Sequence, residues 1–337
     1  MTKLLETREL TVGYVGSKGR KHLVAGPMSL AFSPAEFVCI VGPNGSGKST
    51  LLKTLAGHLP PLSGGILQQG KPLEELSLRE RAQQMALVLT RFSGAHGMSA
   101  FDSVALGRSP HTGIFDGLSS TDKAVVISAM EQTDSLHLKD RGVEHLSDGE
   151  RQRLAVARAL AQEARIILLD EPTAFLDLSH RVGLMGLLRS LCRTRKIGVL
   201  LSTHDLDLAL RFADRILVLD GKGGFDYGVP ETLALGNVFD RVFSSGDVVF
   251  DLVSGSFRLQ EEGCIPVNCA EGGVVGAWTR RALRRKGFRV EKETDFPKIE
   301  ILESTNGVVW QLSMSPTDLR ELFNLEALLD SLNNWKM

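Results

Sequence analysis

The sequence predicts an α/β fold built on a parallel sheet, and three stretches predict it. The apolar run Phe37-Val38-Cys39-Ile40-Val41 leads into the glycine-rich turn Gly42-Pro43-Asn44-Gly45-Ser46-Gly47-Lys48-Ser49-Thr50, after which Leu51-Leu52-Lys53-Thr54-Leu55 reads as helix. A second apolar run, Arg165-Ile166-Ile167-Leu168-Leu169, ends in the paired acids Asp170-Glu171. From 178 to 219 helical and strand-like segments alternate: a helix over 178–195, a strand over 197–201, a helix over 206–212 and a strand over 215–219. That alternation buries both faces of a sheet and implies parallel strands. The loops that carry chemistry then gather at the carboxyl ends of the strands.

Composition bounds the rest. A chain of 337 residues with 43% hydrophobic and only 6% aromatic residues has room for one large α/β core and a small second domain. A net charge of −1 argues against bulk attraction to nucleic acid. Four cysteines are too few for a disulfide scaffold, and Cys39 and Cys192 fall on apolar strand and helix positions, as suits a reducing cytoplasm. Cys264 and Cys269 have no histidine beside them and read as packing residues rather than zinc ligands. The stretch Met1-Thr2-Lys3-Leu4-Leu5-Glu6 lacks the apolar core of a signal segment, and no apolar run approaches the roughly 20 residues of a membrane helix. The chain is expected to stay in water.

Taken in order, residues 4–41 alternate short β-like stretches with Gly, Ser and Pro breaks, which predicts an antiparallel side sheet next to the strand before the glycine-rich turn. Tyr14 lies on that sheet, where its ring is placed to stack on a nucleotide base; on spacing alone a surface-strand tyrosine is an equal reading. Residues 73–84 are helical in pattern, and 85–89 form a short buried strand ending at Thr90. A helical insert, about 91–146, follows, with Ser119 and Asp122 as a capping box opening a helix through Met130. Beyond it, 151–162 form an amphipathic helix. After about Gly255 the pattern changes to short strands with helices over 277–286 and 316–332, and Asn306-Gly307 marks a tight hairpin. Gly272-Gly273-Val274-Val275-Gly276 has only part of the spacing of an anion-binding turn. Arg280, Arg281, Arg284, Arg285 and Lys286 make the first of those helices basic: a solvated face by default, a contact for anionic lipid as the alternative.

The chemistry lies in four places. The turn 42–50 is a phosphate-binding loop: its glycines let backbone N–H groups curl around a polyphosphate, and the following helix points its positive dipole end at the same anion. Lys48 reaches the β- and γ-phosphates, Ser49 offers a hydroxyl to Mg²⁺, and Thr50 serves the α-phosphate side. Asp170 at the mouth of its strand holds Mg²⁺ together with Ser49, and Glu171 polarises the water that attacks the γ-phosphate; a bare helix cap is the plainer alternative. His204, just after the strand at 198–201, is placed to hydrogen-bond the γ-phosphate, though a histidine there alone is more often structural. Leu146-Ser147-Asp148-Gly149-Glu150-Arg151-Gln152-Arg153 supplies a hydroxyl and free N–H groups at another helix start, by itself merely a capped helix.

In this order and spacing, over roughly 1–240, these stretches resemble the ABC-type ATPases: 42–50 their Walker A motif, 146–153 their signature, 166–171 their Walker B, Ala174-Phe175-Leu176-Asp177 their D-loop and Ser202-Thr203-His204-Asp205 their switch histidine. The resemblance implies a P-loop NTPase with a helical subdomain, ATP and Mg²⁺ as cofactors, and a head-to-tail homodimer in which Ser147 and Gly149 of one subunit complete the γ-phosphate site of the other. Carried over, Tyr14 is the base-stacking aromatic, Glu171 the general base and His204 the γ-phosphate linchpin. Two positions depart from the family. The signature has Asp148-Gly149-Glu150 where Gly-Gly-Gln is commoner, and Thr90 replaces the glutamine that reaches Mg²⁺ and the attacking water. Threonine is too short for both, so as a metal-site residue it would act through a water, with Arg91 beside it supplying charge to the loop.

Ala105-Leu106-Gly107-Arg108-Ser109-Pro110-His111-Thr112-Gly113 is similar to a stretch of importer ATPases for iron-siderophore, haem and cobalamin complexes. Such a subunit works with integral membrane permeases, indirectly with a substrate-binding protein and with no nucleic acid, as a peripheral protein on the cytoplasmic face of the inner membrane. The expected organisation is a nucleotide-binding domain at 1–254 and an α+β appendix at 255–337, where the resemblance ends. A soluble ABC ATPase acting as a mechanical clamp is the rival reading, but it would carry long coiled coils or tandem nucleotide domains, and a regulatory binding module would lack Lys48 or Glu171.

Overall fold

The computed structural model describes residues 3–16, 19–90, 97–112, 117–260, 265–270, 273–291, 294–305 and 307–336. Arg91, Gly113, Cys264, Gly272, Asn306 and the start of the helical insert therefore lie outside the described residues. The chain divides into two compact units, 1–244 with 250–257 and 245–249 with 258–337.

In the first unit, β1 (Leu5–Val15), β2 (Lys21–Met28) and β3 (Ala31–Phe32) open an antiparallel sheet, and β4 (Phe37–Val41), buried at every position, starts the core sheet. The phosphate-loop helix α1 (Lys48–Leu55) follows, and β5 (Ser63–Gln68) and β6 (Lys71–Pro72) return to the side sheet in the order β2-β1-β5-β6, with β3 on β1. The continuous helix expected over 73–84 is instead broken: a single 3₁₀ turn, Leu73–Glu75, precedes α2 (Leu78–Gln84). The break is made by Ser77, whose hydroxyl accepts from the Glu80 amide at 3.2 Å while the Glu80 carboxylate accepts from the Ser77 amide at 2.8 Å. That capping box starts a helix where the apolar pattern alone would continue one.

Strand β7 (Met85–Val88) leads to the helical insert, α3 (Ala100–Ala105) and α4 (Ser120–Gln132), which shares with the following α5 (Asp148–Ala161) a core around Val104, Val126, Met130 and Leu154. Ser119 caps α4 by the expected box with Asp122. Arg108 from the importer-like stretch is buried, with Asp122 at 2.9 Å and Glu163 at 2.7 Å. This chain's 105–108 thus pins the insert to the end of α5 through a charge that burial makes costly to leave unpaired.

The alternation read from the sequence then runs its course: β8 (Ile166–Asp170), α6 (Leu178–Arg195), β9 (Gly198–Ser202), α7 (Leu206–Phe212), β10 (Arg215–Leu219) and β11 (Phe225–Gly228). The core sheet has the order β11-β10-β4-β9-β8-β7, parallel except where β11 returns antiparallel on β10. Strands β4, β8 and β9 are buried at all positions, which is why they read as unbroken apolar runs rather than alternating ones. The carboxyl ends of β4, β8 and β9 therefore open side by side. Helices α8 (Pro230–Leu235) and α9 (Val238–Phe243) follow, and then β12 (Val248–Asp251) pairs with β13 (Ser256–Leu259). Phe250 packs between Phe239 and Phe257, at ring separations of 5.3 and 5.2 Å, and Phe257 meets Phe243 at 5.9 Å.

The second unit is built from β14 (Ile265–Cys269), α10 (Gly273–Arg285), β15 (Phe288–Val290), β16 (Lys298–Ser304), β17 (Gly307–Ser315), β18 (Asp318–Leu322) and α11 (Leu325–Lys336). Its sheet runs β15-β14-β16-β17-β18 over a core of Val267, Leu283, Phe288, Ile299, Leu312 and Leu328. Two expectations fail here. The first helix begins at Gly273 rather than at 277. The helix expected over 316–332 is split, because Asp318–Leu322 pairs with β17 (Trp310 opposite Leu322, Leu312 opposite Arg320), and a helix starts only after Asn324, whose side-chain oxygen accepts from the Ala327 amide at 2.8 Å. Pairing across the sheet overrides local helix propensity. Among the described residues no helix is long and apolar enough to cross a membrane.

Phe250 closes the aromatic cluster at the end of the first unit and is 9% exposed. Phe250→Ala is expected to lower stability by about 3–5 kcal/mol, as for other buried phenylalanine truncations, and Phe257→Ala by less because Phe257 is only half-buried. Urea melts of the two variants followed by far-UV circular dichroism check the order.

Candidate nucleotide site

The loop between β4 and α1 has the backbone that its glycines require. Gly45 and Gly47 have φ of +79° and +91°, and a Cβ on Gly47 would sit 1.9 Å from Val24 Cγ1, so no other residue fits there. No side chain caps α1, so the first-turn amides of the helix are left to face the loop. Ser46 Oγ is buried without a hydrogen-bond partner among the described residues. Lys48 is buried, and its Nζ donates to the Gly42 and Pro43 carbonyls at 2.9 and 3.2 Å. Burial pushes the Lys48 ammonium below its ordinary pKa, and the carboxylates of Glu171 and Asp170 push it back up. Amide donors, an unsatisfied hydroxyl and a caged ammonium together form a donor set for a polyphosphate.

The acids stand directly across from it. Asp170 closes β8 and faces Ser202, the last residue of β9. Asp170 Oδ1 accepts from Ser49 Oγ and from Ser202 Oγ, both at 2.8 Å, and Ser202 Oγ in turn accepts from the Glu171 amide at 2.9 Å. His204 Nδ1 lies 3.9 Å from Glu171 Oε2. Glu171 has φ +47°, a left-handed backbone that a non-glycine residue adopts at a cost. Thr90 donates its hydroxyl to the Asp170 carbonyl at 2.8 Å. Its one donor is thus spent on the end of β8.

Lys48, Ser49, Thr90, Asp170, Glu171 and His204 are therefore brought together at the carboxyl ends of the core strands. Ser147 and Gly149 make other contacts. Ser147 caps α5: its amide donates to the Glu150 carboxylate at 2.7 Å, and that amide is the main cause holding the Glu150 carboxyl below its usual range. Gly149 lies against His180, at 3.3 Å for a would-be Cβ. Tyr14 is 54% exposed and stacks on His22 across β1 and β2, with ring centroids 5.2 Å apart. Asp177 caps α6, and the His180 amide, followed by the His180 ring and Ser179, pulls its carboxyl down to about 2.

Residues 25–174 match the family model described as ABC transporter, and residues 266–333 match one described as iron ABC transporter C-terminal domain. An uncharacterized ABC transporter ATP-binding protein of Methanocaldococcus jannaschii is 36% identical over 291 residues, 85% of this chain and 98% of that protein. The chain belongs to the ABC transporter ATPases.

The ferric enterobactin transport ATP-binding protein FepC of Escherichia coli is 33% identical to this ATPase over 73% of the chain and 89% of FepC. Among solved structures, a dimeric post-hydrolysis state of the ATP-binding cassette MJ0796 bound to ADP and phosphate superposes with a TM-score of 0.58 at 26% identity, over 67% of this chain and 98% of that one. The second family match lies beyond Gly255, where the sequence read by itself shows no resemblance. The ATPase also has a site residue that the sequence reading named within the switch-histidine stretch without giving it a role: Ser202, fully buried, whose one hydroxyl joins Asp170 to the Glu171 backbone. Ser202→Ala leaves the half-buried Glu171 amide unpaired and the Asp170 carboxylate short of one donor, a loss of about 1–3 kcal/mol. Turnover of ATP is expected to fall roughly tenfold to a hundredfold, with Ser202→Thr restoring most of it; steady-state phosphate release at saturating ATP is the measurement.

Proposed function

We propose that this chain is the ATP-hydrolysing subunit of an import system for an iron chelate, working as a head-to-tail homodimer of nucleotide-binding units against membrane permease subunits on the cytoplasmic face of the membrane. The observation that carries the reading is the convergence of Ser49, Asp170, Glu171 and His204 on the phosphate loop within an ABC chain. Iron-chelate cargo is supported by the 266–333 match and by the likeness to FepC, and the importer-like stretch at 105–112 agrees with it. We take 1–254 as the nucleotide-binding domain and 255–337 as an iron-importer appendix that serves regulation or dimer support.

In this reading the loop amides and Lys48 cradle the β- and γ-phosphates, and Tyr14 supplies the free face of its ring to the base. Ser49 Oγ and Asp170 Oδ1 are hard oxygen donors, 2.8 Å apart, and are the residues that would hold Mg²⁺. Mg²⁺ supplies neutralisation of charge developing on the transferred phosphoryl group. Glu171 takes the proton of the attacking water, and His204, held near the Glu171 carboxylate, keeps that carboxylate oriented and reaches toward the γ-phosphate. Ser147 and Gly149, whose helix start is already formed within the subunit, complete the site of the partner.

Glu171→Gln is expected to bind ATP as well as the parent and to lose roughly 10²–10⁴-fold in turnover, the ATP-bound dimer accumulating on gel filtration; Lys48→Ala loses nucleotide binding itself. Full turnover by purified Glu171→Gln protein would overturn the assignment. Uptake of a labelled ferric chelate by cells carrying the permease, restored by the parent but not by Glu171→Gln, tests the cargo.

The Thr90 contact yields a separate comparison. Because that hydroxyl is engaged with the Asp170 carbonyl, Thr90→Ala should reduce Mg²⁺-dependent turnover by less than about tenfold, the scale of one net hydrogen bond. Ser49→Ala, which removes a donor to both Asp170 and the metal, should do far more harm. Equal losses in the two variants, measured across a Mg²⁺ titration, would make Thr90 a principal metal-site residue.

A further inference from the structure

The phosphate loop occupies the carboxyl ends of the core strands, and a second concave site lies at their amino ends. A cleft of about 520 Å³ opens there between α4, which contributes Val125, Ser128 and Ala129, and the base of the sheet, where Arg165 precedes β8 and Ile197 precedes β9. Strands of this length set the two ends about 15 Å apart. Leu4, Pro34, Leu160 and Ala164 complete an apolar floor.

The rim of the cleft is cationic. Arg165, Arg195 and Lys196 line it, all exposed, and none of them forms an ion pair among the described residues. Arg195 is held in place by its Nε, which donates to Gln132 Oε1 at 2.7 Å, and the outer nitrogens of its guanidinium have no hydrogen-bond partner among the described residues. The acid of the lining, Glu163, has its carboxylate engaged by Arg108 at 2.7 Å. Lys196 stands at the C-cap of α6 with φ +55°. Glycine is the residue that this backbone favours. A lysine is kept there in spite of the backbone, and its ammonium joins the rim.

We propose that this cleft binds a small amphiphilic anion, an apolar body ending in a phosphate or carboxylate, with the body on the Leu4–Pro34–Ile197 floor and the anionic head among Arg165, Arg195 and Lys196. The volume lies in the range of small-molecule pockets, and three unpaired cations above an apolar floor match that ligand and neither a neutral lipid nor a bare polar anion. A bound ligand touches α4 of the helical insert and the base of the sheet at once, so it ties the insert to the core from the side opposite the nucleotide.

The test titrates octyl phosphate and octanoate into the full chain by calorimetry, with octanol and inorganic phosphate as controls and excess ADP filling the phosphate loop. One saturable site per chain is expected, with both controls at least roughly tenfold weaker, and the preferred head group is the tighter of the two amphiphiles. Arg165→Gln with Lys196→Gly should weaken binding by roughly tenfold or more, as expected on removing charged hydrogen-bond donors. Lys196→Gly relaxes the backbone, so its melting temperature should not fall, and a binding loss there is not a folding loss. Displacement by ADP, octanol binding as tightly as the amphiphiles, no saturable binding, or unchanged affinity in the double variant would each overturn the proposal.

Discussion

One buried carboxylate sets the geometry of the site. Asp170 is 6% exposed, and a carboxylate so placed needs hydrogen bonds to replace the water it has lost. It receives two, from Ser49 at the start of α1 and from Ser202 at the end of β9, while its own carbonyl accepts from Thr90 beyond β7. Three segments far apart in sequence are thereby tied to the mouth of β8. The phosphate loop is held at its distance from the acids by the protein alone, so the site needs little rearrangement when charge develops in it. The order of the core sheet makes this possible, because β8 lies between β7 and β9 and its last residue is in register with Ser202.

That register also explains what was legible beforehand. The phosphate loop and the acid pair announce themselves because their chemistry needs adjacent residues: Gly45 and Gly47 for the backbone, Lys48 and Ser49 for the donors, Asp170 and Glu171 at the end of an apolar run. Ser202 does not, since a serine closing a buried strand looks like any strand end until β8 and β9 are aligned and it faces Asp170. Thr90 was visible as a departure from a family pattern, but its bond to a main-chain carbonyl of another strand was not. In the second unit, the Asp318-Leu-Arg-Glu-Leu stretch has helical residue types, and only the neighbouring β17 makes it a strand. The apolar 3.6-residue period likewise hid the stop at Ser77, which is a matter of one hydroxyl and one carboxylate.

The same local grammar serves structure and function in this chain. Ser77 with Glu80, Ser119 with Asp122 and Ser147 with Glu150 are three capping boxes of one design. The first starts a helix, and the second also turns the other oxygen of Asp122 to buried Arg108. The third starts α5 as well, and it has its amide and hydroxyl satisfied by Glu150 within the subunit. A helix start capped within its own subunit needs no second chain to form, so in the proposed dimer α5 would be in place beforehand.

With Glu171 as the proposed base, function is placed above folding at this position. Its φ of +47° puts a side-chain-bearing residue where the chain favours glycine, and the Ser202 hydroxyl on its amide helps to hold it there. Removing the side chain altogether would relieve that tension without touching the amide. A Glu171→Gly chain, stripped of the proposed base, would then outlast its parent in a heat challenge. A laboratory selection for heat tolerance alone would drift toward silence at this position, and the carboxylate survives only where hydrolysis itself is under selection.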